Sequence, residues 1–226
     1  MGYPEDRTKL LLVGCNALGM PQFQNAAVRQ QLGLPMSETI LCYVGTLLPR
    51  DAELLLGSLR VLKDRVRRMP QTVLVGNHRV EEDVRRELSI SVTGYLREFR
   101  EVAAYLGAAD YGLVPMRLSV ANMARWPSKT GDYWAAGLPV IATPVSDYAE
   151  LFPRHDLGFL AAGDSPEDLA CAMEAALAAQ AEERDRMSRA AKVFAEHELE
   201  WSVVAQRLEE VFRSAMGVNG SRAVRA

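Results

Sequence analysis

Short apolar runs recur along the chain, separated by longer stretches whose apolar positions return every three or four residues. The runs are Lys9–Val13, Thr39–Val44, Thr72–Val75, Ile90–Thr93, Tyr111–Pro115, Pro139–Thr143 and Gly158–Ala161. Most lack polar alternation, the pattern of parallel strands covered on both faces. Between them, Asp51–Arg67 places Leu54, Leu55, Leu59, Leu62 and Val66 on one stripe, with basic residues mostly opposite. Val80–Leu88 is short and charged, and Phe99–Ala108 turns Val102 and Leu106 inward. Ser128–Ala136 lies between Pro127 and Gly137, a helix start and a helix stop. Ser165-Pro166-Glu167 opens an alanine-rich helix through about Ala179, and helical stretches follow at Glu183–Phe194 and Trp201–Met216. Strands alternating with helices in this way predict one α/β domain, a doubly wound parallel sheet with right-handed crossovers and extra C-terminal helices.

Composition narrows the function classes without naming one. Apolar residues are 49% and charged residues 24% of 226, average for a globular protein. A chain of this length buries about 70% of the surface it exposes when unfolded and needs no disulfide or metal staple. The net charge of −3 offers no global basic field for nucleic acid or anionic lipid. Cys15, Cys42 and Cys171 are far apart with no CxxC pair, and His78, His155 and His197 share no ligand spacing with them. The run at Lys9–Val13 breaks at Gly14, too short for a leader core or a membrane span. Reduced thiols and a cytoplasmic location are expected.

In an open α/β sheet, ligands bind outside the carboxyl ends of the strands. Three predicted strands run there into glycine: Gly45-Thr46, Gly76-Asn77 and Gly94-Tyr95-Leu96. Glycine at such a junction either lets backbone approach a ligand or simply satisfies a tight turn. No GxGxxG follows the first run and no GxxxxGK[ST] occurs, so the usual dinucleotide and P-loop fingerprints are missing. The segment Arg125 to Thr143 carries more chemistry. Ser128 is positioned to cap a helix, and Lys129 falls in its first turn, where a cation opposes the helix dipole unless an anion lies between them. Asp132 follows one turn later, spaced to accept hydrogen bonds from sugar hydroxyls. An exposed Lys–Asp pair at i,i+3 accounts equally for that spacing.

These residues resemble the donor-binding motif P-x-K-x-x-E-Y-x-A-x-G-x-P-V-[IV]-A-T of the group 1 (GT4-type) retaining glycosyltransferases of GT-B fold. Pro127, Lys129, Tyr133, Ala135, Gly137, Pro139, Val140, Ala142 and Thr143 fit it, with Asp132 in the place of the acid. Further likenesses follow in order. Asn16 and Phe23 fit a hinge segment, and Leu32-Gly33-Leu34-Pro35 a connector. Tyr43-Val44-Gly45, Val75-Gly76 and Val92-Thr93-Gly94-Tyr95 fit strand ends, and Ala109-Asp110 to Pro115 a further strand. The resemblance implies one Rossmann-like half of a GT-B fold. Its segments would be a hinge-proximal strand and connector (1–35), a nucleotide-sugar-binding domain (36–180), C-terminal helices (181–216) and a frayed tail (217–226). It implies a nucleoside-diphosphate sugar as donor substrate and no separate cofactor or metal. Lys129 would contact the diphosphate and Asp132 the ribose. Gly45, Thr46, Gly76, Asn77, Gly94, Tyr95, Leu96 and Ser128 would line the rest.

The departures from the motif matter too. The family carries a glutamate at the start of an E-x7-E motif, and the matching position before Asp132 is Ala124. Where many members have Arg and Lys after the first strand's glycine, Thr46 stands, and the next basic residue is Arg50. Arg50, assigned with Lys129 to the catalytic set, either replaces that charge or leaves the phosphate site weaker; Arg125 is a second candidate or an ordinary loop arginine. The acceptor-binding N-terminal domain of such enzymes is expected as a partner in cis or in trans, with this chain incomplete and inactive alone. The apolar face of Trp201–Met216 would cross onto that domain or pack on its own sheet. Two other functions compete with hexosyl transfer: a non-catalytic nucleotide-sugar-binding module or degenerate transferase, and a nucleotide-sugar epimerase using His78.

Overall fold

A computed structural model describes residues 11–216. Six strands form one all-parallel sheet: β1 (Ile40–Val44), β2 (Gln71–Val75), β3 (Ile90–Val92), β4 (Tyr111–Val114), β5 (Val140–Ala142) and β6 (Gly158–Leu160), in the order β3-β2-β1-β4-β5-β6. The chain winds outward from β1 through β2 and β3, crosses back to β4, and winds outward the other way. Its direction reverses between β1 and β4, and the carboxyl ends of these two strands therefore part to leave a crevice.

Side-chain alternation along the strands builds a core on each face. On one face, Leu41, Tyr43, Leu74, Leu113 and Ile141 pack with the leucines of α2 (Pro49–Lys63) and with Leu169 and Met173 of α8 (Pro166–Ala178). The other face takes Ile40, Cys42, Val73, Val140 and Ala142. They pack with Trp134 and Tyr133 of α6 (Lys129–Ala135), Tyr148 and Phe152 of α7 (Tyr148–His155), and Phe194 of α9 (Ala181–Phe194). Around Trp134, edge-to-face aromatic pairs include Phe194 at 5.2 Å and Phe152 at 5.9 Å. Smaller elements complete the chain: α1 (Asn25–Leu32), α3 (Glu82–Glu87), α4 (Phe99–Ala108), α5 (Val120–Met123), a π-type turn at Ala195–Leu199 and α10 (Trp201–Ala215).

Six of the seven predicted strands form within a residue or two of their expected limits. The exception is Lys9–Val13. Lys9 and Leu10 lie outside the described residues, and Leu11–Val13 is irregular; Leu12 is apolar because it packs against the core beside the helices. The tail at 217–226 also lies outside the described residues. The sequence pattern misses α1, in which Val28 and Arg29 alone are buried, and α7, whose apolar residues are interrupted by Pro153. Arg29 is buried for a reason: its guanidinium donates to the Ala108 and Glu38 carbonyls and pairs with Asp110 at 2.7 Å, while Asp110 also accepts from the Ile40 N–H at 2.8 Å. This cluster clamps α1 across the amino ends of β1 and β4.

The expected alternative of α10 packing on its own sheet is not what forms. No residue of α10 is buried, and Trp201 and Phe212 are more than half exposed. Behind α6, the chain near Cys15 runs beside the segment that leads into α10. The Cys15 N–H donates to the Leu199 carbonyl at 2.7 Å, the Trp201 N–H to the Cys15 carbonyl at 3.2 Å, and the Leu18 N–H to the Glu200 carboxylate at 2.9 Å.

Candidate functional site

The crevice between β1 and β4 is a cavity of about 420 Å3. Its walls include Tyr43, Gly45, Thr46, Asp51, Met116, Arg125, Trp126, Ser128, Lys129 and Asp132. Lys129 opens α6 and reaches across to β1. Its ammonium donates to the Tyr43 hydroxyl at 2.6 Å and sits 3.8 Å from the centre of that ring. The Tyr43 hydroxyl in turn donates to the Thr46 carbonyl at 2.7 Å, and one phenol thus fixes both the lysine and the loop after β1.

That loop is shaped by two glycines. Gly45 adopts φ +99°, and its N–H donates to the Val75 carbonyl at 3.0 Å. Gly76 adopts φ +135°, and a Cβ there would lie 3.1 Å from the Gly45 carbonyl oxygen. Both positions require glycine. Tyr133, one turn along α6, accepts the Val44 N–H at 2.8 Å and donates to the Leu113 carbonyl at 3.3 Å. Its ring lies on Gly112, where any Cβ would collide with it. On the β4 side, the Thr143 hydroxyl donates to the Met116 carbonyl at 2.6 Å and accepts the Met116 N–H at 3.1 Å, holding Met116 in the wall.

Burial sets the electrostatics. It lowers the Lys129 ammonium to a pKa of about 7; Asp51 opposes the shift and Arg125 adds to it. Burial likewise raises Asp132 to about 6. The two groups that resemble the family's donor contacts are therefore both held away from their ordinary values, and among the described residues neither takes part in an ion pair. An anion delivered to the cavity would restore the lysine's charge, and hydroxyl donors would favour the ionised form of Asp132.

The sequence-derived residues are partly brought together. Gly45, Thr46, Ser128, Lys129 and Asp132 share the cavity. Ser128 does not cap α6: its backbone is itself helical and its hydroxyl accepts no capping bond, because the Pro127 carbonyl already closes the first turn. Arg50 is exposed and lines a neighbouring cavity of about 500 Å3, whose remaining walls include Leu48, Asp51, Arg117 and Arg125. Asn77 and His78 border a third, of about 400 Å3, which also touches Thr46. Gly94 pairs with Gly76 across an isolated bridge, Tyr95 is 79% exposed, and Leu96 packs against the core. Tyr43 and Asp51 gain their importance only in three dimensions. A lone tyrosine in the aliphatic run Ile40–Val44 was the available signal for the first. For Asp51, which accepts the Arg117 N–H at 2.9 Å, a helix-opening acid gave none.

A family model described as "Glycosyl transferases group 1" matches residues 38–179. No curated protein matches the chain significantly. Among solved structures, sucrose-phosphate synthase from Thermosynechococcus elongatus superposes with a TM-score of 0.69 at 21% identity, over 93% of this chain and 53% of that one. Anabaena HepE in complex with UDP-glucose gives 0.69 at 17%, over 94% and 59%. The C-terminal domain of the group 1 family protein LpcC from Francisella tularensis gives 0.63 at 13%, over 83% of this chain and 100% of that one. At these identities the likeness shows the fold. The chain spans little more than half the length of the first two.

Proposed function

The chain belongs to the group 1 glycosyl transferases, and we propose from that premise that it is the half of such an enzyme that binds a nucleoside-diphosphate sugar, donating a hexosyl group with retention to an acceptor held by an N-terminal domain, in cis or in trans. The observation that carries this is the position of Lys129: a partly buried ammonium in the crevice between β1 and β4, short of compensating charge, facing the glycine loop after β1. The HepE structure contains UDP-glucose, which supports a nucleotide sugar here.

In this role Lys129 faces the diphosphate. As the bond from the sugar to the diphosphate breaks, negative charge gathers on the leaving group, and a desolvated cation fixed in advance stabilises that charge far more than one in water. Asp132 accepts hydrogen bonds from the ribose hydroxyls. Lys129 supplies the positive charge, and the step needs no metal. Cys15 and Cys42 are unpaired and buried, in keeping with a cytoplasmic location.

Isothermal titration with UDP, GDP and ADP tests the assignment: one of them binds, and Lys129→Ala abolishes or severely weakens that binding. Absence of binding by all three, or binding indifferent to Lys129→Ala, rules it out. A second function is favoured by one residue. Ala124 is exposed where the motif has its glutamate, which fits a non-catalytic nucleotide-sugar module. Sugar transfer by this domain joined to an acceptor domain would exclude that module.

A further inference from the structure

The cavity beside the Lys129 chamber is unusual in its charges. Three arginines, Arg50, Arg117 and Arg125, line it with one acidic residue, Asp51. Arg117 is committed, its Nη1 donating to the Asp164 carbonyl at 2.7 Å, and Asp51 accepts the Arg117 N–H at 2.9 Å. Among the described residues Arg50 and Arg125 take part in no ion pair. The cavity adjoins the Lys129 chamber, and Leu48, Asp51 and Arg125 line both. Ligand matter extending beyond the diphosphate in this direction meets an excess of positive charge over an apolar floor.

An uncharged hexose has no use for that excess, since its hydroxyls are held best by carboxylates and amides. A carboxylate has: the planar fork of arginine binds it through paired, charge-assisted hydrogen bonds. The floor of Leu48, Pro49 and Ala121 suits the C–H face of a pyranose ring. We infer that the transferred sugar is acidic, a hexuronate whose carboxylate is held by Arg50 and Arg125 in this second cavity. The inference rests on the donor-site assignment above and adds the class of sugar to it.

Matched donors test it. For whichever of UDP, GDP and ADP binds, titration compares the neutral and acidic conjugates of the same nucleotide: UDP-glucose with UDP-glucuronate, GDP-mannose with GDP-mannuronate, or ADP-glucose with ADP-glucuronate. The acidic member binds at least about tenfold more tightly, the scale of one charge-assisted hydrogen bond. Arg50→Gln, on an exposed side chain, collapses that ratio toward one, and a melting curve checks that this variant is folded. Arg125→Gln lowers the ratio as well. Equal binding of the two conjugates, or a preference that survives both substitutions, overturns the inference while leaving the nucleotide site standing. Failure of all three nucleoside diphosphates to bind overturns the donor-site assignment instead.

Discussion

Lys129 carries opposed demands. Burial holds its pKa at about 7, far below the ordinary 10.5, and the folded chain therefore binds fewer protons than the unfolded chain between these values. Stability consequently rises with pH across that window, and the cost of the buried charge is felt in full below about pH 7. Lys129→Met removes that cost: melting scans should show a raised Tm at pH 6–7, a gain that shrinks toward pH 10, together with lost nucleotide binding. Ligand binding has the opposite sign. On the proposed assignment a nucleotide sugar, whose diphosphate does not titrate near neutrality, should bind the protonated lysine with an affinity that falls as pH rises through 7. Titrations in buffers of different ionisation heat should register proton uptake on binding. Below about pH 6 affinity falls again as Asp132 takes up a proton. The sequence marked Lys129 and Asp132, because a first-turn lysine and an acid one turn on stand out in a string of letters. It marked Tyr43 only as a lone tyrosine in an apolar run, and the carboxylate of Asp51 not at all. Their roles arise where β1, α2 and α6 meet.

Elements were legible where burial made them apolar on all sides. β1, β4 and the Val73–Val75 end of β2 are continuous apolar runs because both sheet faces are covered. α1 was not legible, since it is held by polar contacts and not by an apolar stripe. Those contacts have a measurable cost. Asp110→Ala leaves Arg29 buried without its partner and the Ile40 N–H unsatisfied, and chemical denaturation should show a loss of about 3–5 kcal/mol. Tyr133→Phe removes the acceptor for the Val44 N–H next to the Gly45 loop. It should cost about 1–3 kcal/mol and weaken nucleotide binding, because the strand end that shapes the cavity loses its tie to α6.

At the scale of the whole molecule, α/β class and the doubly wound sheet followed from the alternation of elements, whereas the site's division into adjoining cavities did not. Those cavities depend on which loops the β1–β4 reversal brings side by side. Saturation with a tight nucleotide, at about 100 times Kd, should stabilise the protein by ~2.7 kcal/mol, read as a rise in Tm. The pairing of Cys15 with Leu199 and Glu200 behind α6 bears on time as well as on space. The Leu18–Glu200 bond alone joins residues 182 apart in sequence, and Cys15 lies so close to Gly131 that a Cβ there would be 2.8 Å from its own. Contacts of such separation form slowly, because the intervening chain must be ordered before they are rewarded. After dilution from denaturant, helical ellipticity should therefore return before the capacity to bind nucleotide. The cavity beside Lys129 should be the last part of the protein to be finished.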